Sequence, residues 1–311
     1  MNINEVLADI KNGVKKKVIL DTDTYNEIDD QFAVAWAALE NGNKIDLLSI
    51  NAAPFFNSRS TSPKDGMEKS YNEIGNILSL IENSGLKYSV KPTSVPYYKG
   101  ADTYLPDKKT PVVTDASENI VKTVSESKET VYVVAIGAIT NVASAILMKP
   151  EIVDNMVVVW LGGHAWHAPH TREFNMVQDV PAAQVILDSG VPFVQIPCTG
   201  VCDYLSVTVP ELKAYLLGRN TLCDYLVNIV EGYANGSSYC WSKVIWDISA
   251  LAVLFSDSYA EKVVMPTPIL TSDCLYAFDN ARHHMILVRS LRREKIFADI
   301  FDILTEGKSR M

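Results

Sequence analysis

The stretch Lys17-Val-Ile-Leu-Asp21-Thr-Asp23-Thr-Tyr-Asn-Glu27-Ile-Asp29-Asp30 constrains the fold more than any other part of the chain. Val18 to Leu20 reads as a buried strand, and Phe32, Ala33, Trp36 and Leu39 then recur at helical spacing. The four aspartates therefore lie in a strand-to-helix loop, at the carboxyl end of a strand. Ligands bind at that position in open α/β sheets. Carboxylates crowded there repel one another unless a cation or a hydroxyl-rich ligand satisfies them.

The remainder alternates short apolar runs with amphipathic segments. Further strands are expected over 45–50, 88–90, 130–136, 156–161, 192–196 and 285–288. Helices are expected over 29–41 with Gly42 as C-cap, around 74–81, over 116–125, from Thr140 or Asn141 to Met148, and over 179–188. Most of 210–255 reads as helical, and Ile296, Ile300, Phe301 and Leu304 mark a last amphipathic helix. Two polar loops, 51–66 and 92–111, read as surface excursions or parts of a substrate lid; the second contains Tyr97-Tyr98-Lys99-Gly100. This pattern predicts a single domain over 1–311: an open, mainly parallel, twisted α/β sheet flanked by helices, with a Rossmann-like core.

The charge balance narrows the function. The net charge is -9 and no basic run exceeds Lys15-Lys16-Lys17, which excludes polymeric nucleic acid as the expected partner. No apolar stretch approaches the ~20 residues of a membrane span. The first residues are polar and carry no signal-peptide core, so a cytoplasmic protein with five reduced cysteines is expected. Cys198-x-x-x-Cys202 leaves a redox pair or half a metal site open, without a second pair to accompany it.

Other polar groups recur at element ends: Asn57, Glu173-Phe-Asn175, and Asp247 within Trp246-Asp247-Ile-Ser-Ala. Taken singly, Asp247 reads as an N-cap and Asn175 as a turn residue. A strand followed by Asp-x-Asp also opens the haloacid-dehalogenase-like phosphatases. Those expect Thr or Val two residues after the second Asp, where this chain has Tyr25, and they leave Asp29-Asp30 unexplained.

The ordered set Asp21-Thr-Asp23 with Asp29-Asp30, Ile136-Gly-Ala-Ile-Thr-Asn141, Gly162-Gly163 with Glu173-Phe-Asn175, and Asp247 resembles the nucleoside hydrolase family over essentially the whole chain. The resemblance implies a Ca²⁺ site formed by Asp23, Asp30, Asp247 and the Ile136 carbonyl, with Asp21 bracing the loop. It implies ribose contacts from Asp29, Asn57, His167, Glu173 and Asn175. It implies a calcium-coordinated water that attacks the anomeric carbon with Asp23 as general base, through an oxocarbenium-like transition state. The expected reaction releases free base and ribose from a nucleoside, as part of purine salvage, by a homodimer or homotetramer.

The chain departs from the family pattern in three places. The loop from Thr24 to Ile28 is two residues longer than the family's Pro-Gly-x loop. His167 stands where many members carry Asn. Trp246 stands where many carry a His tied to leaving-group protonation, and there the chain resembles the purine-specific branch, with Trp stacking on the base. Phe55, Phe56, Tyr97, Tyr98 and Trp166 are further aromatic candidates for a base pocket. His164-x-x-His167-x-x-His170 invites a transition-metal reading that Pro169 and the preceding glycines oppose. Two alternatives stay open: hydrolysis of another ribosyl N-glycoside, and non-catalytic nucleoside or ribose binding.

Overall fold

The computed structural model describes residues 1–237 and 240–308. Its twelve strands are, in chain order, β1 (Lys16–Thr22), β2 (Ile45–Ala52), β3 (Tyr97–Lys99), β4 (Val131–Ala135), β5 (Met156–Leu161), β6 (Phe193–Ile196), β7 (Ser206–Val207), β8 (Lys243–Val244), β9 (Ala260–Pro266), β10 (Ile269–Leu270), β11 (Tyr276–Ala277) and β12 (His284–Leu291). Eight of them form one sheet in the order β3-β2-β1-β4-β5-β6-β12-β9. Every neighbouring pair is parallel except β12 with β9. The chain winds outward from β1 through β2 to β3, then returns to place β4 on the other side of β1. The switch point thus falls between β1 and β4, at the carboxyl ends where Asp21 and Ile136 lie.

The strands are apolar because both sheet faces are covered. On one face the helix Asp30–Leu39 is buried along all ten residues, and Trp36 meets Phe255 edge-on at 4.9 Å. On the other face Trp160 packs beside Phe193, and its indole N–H donates to the Gly137 carbonyl at 3.0 Å. Among the described residues no helix is long and apolar enough to cross a membrane.

Several expected boundaries move. The 88–90 stretch is not a strand; the third parallel position is taken by β3, inside the segment read as a polar loop. Tyr97 and Tyr98 hydrogen-bond into the sheet edge and belong to the architecture. The polar start forms a helix, Ile3–Lys11, closed by a capping box between Asn2 and Glu5, with Val6 and Ile10 buried. The helix expected near 74–81 begins at Pro63, so the last four residues of the loop over 51–66 are helical. The antiparallel edge strand β9 was not foreseen, because its Glu261-Lys262 pair followed by Val263-Val264-Met265 shows no period-two alternation.

Asn141 ties the switch point together. It sits in the first turn of the helix Thr140–Met148 and caps nothing. Its amide donates to Asp21 at 2.9 Å and to the Ala52 carbonyl at 3.2 Å, and its oxygen accepts from the Ala101 N–H at 2.8 Å. Gly100 permits this: a Cβ there would lie 2.0 Å from the Ala52 oxygen. Asn141→Ala is expected to destabilise the fold by about 2–3 kcal/mol, since it strands buried partners. Urea denaturation checks this, with an unchanged midpoint as the contrary result.

Candidate active site

The loop after β1 brings its carboxylates together by turning sharply and starting a helix. The Asn26 N–H donates to the Asp23 carbonyl at 2.6 Å, and the helix begins at Asp30. Asp21 stays behind on β1, held by Asn141. Burial pushes the Asp21 carboxyl up to about 7, opposed by the hydrogen bond from Asn141 and by the nearby Asn51 amide. Thr22 donates its hydroxyl to Asp30 at 2.6 Å. Burial, then the Asp29 charge, pushes Asp30 up to about 7, while Thr22 and Asp247 hold it down.

Asp23 is the unsatisfied member. It is buried, and neither carboxylate oxygen has a hydrogen-bond partner. Burial comes first, then Asp30, Asp29, Glu173 and Glu27, in holding it well above the ordinary carboxylate range. Gly137 makes room for it, since a Cβ there would sit 2.9 Å from the Asp23 carboxyl carbon.

Asp247 precedes the helix Ile248–Phe255 but makes no side-chain cap bond, so the capping explanation for it does not hold. Its carboxylate instead joins Asp29 and Asp30, with one oxygen of each within 4.8 Å of the others. Burial, followed by Asp29, Asp30 and Asp23, drives its pKa well up. Such a buried acidic triad, beside the orphaned Asp23 carboxylate, is chemically matched to a hard cation. Asp29 was expected only as a sugar contact, yet it belongs to this triad. Its Oδ2 accepts the Trp246 N–H at 2.9 Å. Its Oδ1 lies 3.4 Å from the Lys243 ammonium, an ionic contact without hydrogen-bond alignment.

The remaining sugar-binding candidates divide. Glu173 caps the short helix Phe174–Gln178, accepting from the N–H groups of Asn175 and Met176, and from Gly163 at 2.9 Å. Asn175 donates its amide to the carbonyls of Ile136 at 3.1 Å and Leu161 at 3.0 Å. Both line one cavity of about 200 Å³ with Asp29, Ile136, Trp246 and Asp247. Asn57 and His167 do not line it. The Asn57 amide reaches Asn26 at 2.6 Å, and Asn26 is the residue that faces the cavity. His167 is exposed and borders a different recess with Trp166; His164 faces the cavity in its place. The residue spacing in the His-rich loop could not distinguish the two, because the loop has no regular periodicity after the positive-φ Gly163.

Among the aromatic candidates, Trp246 lines the cavity, while Phe55 is fully buried, Phe56 is exposed, Tyr97 packs on Tyr71, and Trp166 packs on Phe278. Asn26, Glu27, Leu161, Phe174, Cys198 and Thr199 complete the lining and were not expected there. Cys198 and Cys202 are free buried thiols; burial pushes Cys202 up to about 12 and Cys198 strongly upward. They therefore stay protonated at neutral pH, which disfavours the redox and half-metal readings. The three histidines do not converge: His164 and His170 rings are 5.9 Å apart, and His167 faces elsewhere.

Glu27 comes from the lengthened loop and is held on three sides. Lys243 and the Tyr233 hydroxyl contact its carboxylate, and Arg59 donates to its carbonyl at 2.6 Å. Burial opposes the charge on Lys243, but Asp29 and Glu27 outweigh it and hold the ammonium pKa above its usual value.

The family model described as inosine-uridine preferring nucleoside hydrolase matches residues 18–297. The pyrimidine-specific ribonucleoside hydrolase RihB of Escherichia coli is 27% identical over 195 residues, covering 58% of this chain and 58% of that protein. The probable uridine nucleosidase 2 of Oryza sativa subsp. japonica is 28% identical over 218 residues, 61% of this chain and 60% of that protein. The chain thus spans well under two thirds of the length of the curated relatives it matches. The solved purine-preferring ribonucleoside hydrolase from Gardnerella vaginalis superposes with a TM-score of 0.74 at 19% identity, over 93% of this chain and 98% of that one. A plant nucleoside hydrolase superposes with a TM-score of 0.74 at 17% identity, over 93% and 99% of the two chains, and at such identities the likeness speaks to the fold.

The acidic triad generates its own test. Adding calcium to chelator-treated protein to ~100 times its Kd is expected to raise the melting temperature by roughly 5 °C. The double variant Asp30→Asn, Asp247→Asn is expected to lose that shift. An identical shift in the variant would remove the triad as the cation site.

Proposed function

The chain belongs to the inosine-uridine preferring nucleoside hydrolase family, and from that premise we propose that it hydrolyses the N-glycosidic bond of ribonucleosides, releasing free base and ribose. One observation carries the reading: Asp29 and Asp247 of the buried acidic triad, Glu173, Asn175 and Trp246 border a single cavity, and the buried, unpartnered Asp23 carboxylate interacts with the charges of Asp30, Asp29 and Glu173 behind it.

The donor set favours Ca²⁺. Asp29, Asp30 and Asp247 would hold it, and the family resemblance adds Asp23 and the Ile136 carbonyl. These are oxygen donors, and the nearby Cys198 remains a neutral thiol, so nothing selects a soft metal. When bound, the ion supplies an anchor for water and for two ribose hydroxyls. The chain's own residues do the rest. Asp23 takes a proton from the attacking water. Burial and the neighbouring negative charges raise its pKa, which strengthens it as a proton acceptor. Positive charge developing on the ribose ring is stabilised by the surrounding carboxylates. Asn175 is locked by two carbonyls and Glu173 by backbone N–H groups, so both can present fixed groups to sugar hydroxyls. His164 offers an imidazole to the sugar where His167 was expected; burial and His170 depress its pKa, which keeps it neutral at pH 7.

The leaving base departs without an adjacent histidine, since Trp246 occupies that place. Its ring supports a purine by stacking, and a purine can take its proton from solvent. Relatives carry both purine and pyrimidine names, and Trp246 is the feature that tilts this chain towards purines.

Ribose release from a panel of purine and pyrimidine nucleosides, with and without a chelator, tests the reading. Release is expected with calcium and its loss on chelation. No release from any nucleoside in the presence of calcium overturns the proposal. Asp23→Ala should lower kcat by ~10²–10⁴-fold. Trp246→Ala should depress kcat/KM for purines more than for pyrimidines, and equal effects would remove the stacking role.

A further inference from the structure

Lys243 is almost fully buried, with 8% of its side chain exposed, beside the acids that form the candidate cation site. It enters from β8, 216 residues away from Glu27 in sequence. Its ammonium contacts the Glu27 carboxylate, lies 3.4 Å from Asp29 Oδ1, and sits 5.8 Å from the centre of the Tyr233 ring. Among the described residues it is the one lysine or arginine ion-paired with any of Asp23, Asp29, Asp30, Asp247 or Glu173. Nothing in the hydrolytic reading requires it.

We propose that Lys243 is the resident counter-ion of this site: it stabilises the acidic cluster when no metal is bound, competes with the metal for Asp29, and so sets the cation affinity. The inference rests on the reading that the acidic triad holds a divalent cation. Two consequences of losing the ammonium oppose each other. Asp29 and Glu27 lose an anchor, and a bound cation loses a repelling neighbour. The geometry decides between them. Asp29 keeps the Trp246 N–H on its other oxygen at 2.9 Å. Glu27 keeps the Tyr233 hydroxyl at 3.2 Å and the Arg59 contact at its carbonyl. Both carboxylates thus remain placed, while repulsion between an ammonium and a divalent ion in a poorly solvated site is large. Relief of repulsion therefore outweighs loss of positioning.

The test is calorimetric titration of calcium into chelator-treated full-length protein, together with melting curves with and without the metal. Relative to the unaltered protein, Lys243→Met should bind calcium at least about tenfold tighter and melt at lower temperature when metal-free. Lys243→Arg keeps the charge and should stay within about threefold of the unaltered affinity. Glu27→Gln removes a negative charge and leaves the ammonium to Asp29, so it should bind calcium more weakly. A merely structural lysine would lower the melting temperature and leave the affinity where it was. Unchanged or weaker binding by Lys243→Met overturns the inference. If that variant does not fold, unchanged binding by Glu27→Gln overturns it instead. Absence of calcium binding by the unaltered protein removes the cation reading itself, a result distinct from either.

Discussion

Mutual repulsion among buried carboxylates is the constraint around which this molecule is built. Asp23, Asp29, Asp30 and Asp247 are drawn together by secondary structure, since three lie on the turn from β1 into a helix and the fourth opens a helix packed beside it. Left alone, that arrangement would push the two helix starts apart or load the carboxylates with protons. The protein answers with directed partners of limited number: Thr22 on Asp30, a backbone N–H and an ammonium on Asp29, and Asn141 on Asp21. Asp23 receives none. The least compensated group is the one proposed above as general base, which fits the general tendency of strain to concentrate where function lies.

The parallel topology explains why groups so far apart in sequence converge. β1, β4 and β5 run side by side in one direction, so the residues that end them fall on one rim. Asn175 stitches that rim by bonding the carbonyls that end β4 and β5, and Asn141 does the same between the β1 and β2 ends. Two asparagine amides, each with two donors and an acceptor, hold the strand ends in register without adding charge to a site already rich in it.

Much of this was legible in the sequence. The β-branched runs of β4 and β5, and the apolar helix after Asp29, stand out as continuous apolar stretches because they are buried on all sides. The acidic cluster was legible because carboxylates after a strand have few bland explanations. What escaped shares a physical cause. β3 has only three residues at a sheet edge, so no hydrophobic alternation betrays it. Asn26 faces the cavity and Asn57 supports it, a choice made by a hydrogen bond between two loops. His164 and His167 differ only in which way an aperiodic loop turns. The Lys243 contacts with Glu27 and Asp29 are tertiary, formed by chain segments with no local relation. Local sequence patterns report burial, and they are silent about which polar side chains meet.

The two edges of the large sheet carry a separate consequence. One ends in β3, too short to template an incoming strand. The other ends in β9, antiparallel to its neighbour, bearing Glu261 and Lys262 and finishing at Pro266, which lacks an N–H to donate. Sheets whose borders are shortened, charged or interrupted in this way resist ribbon-like growth between molecules. A crowded solution of the protein is shielded from the strand-by-strand stacking that seeds fibrils.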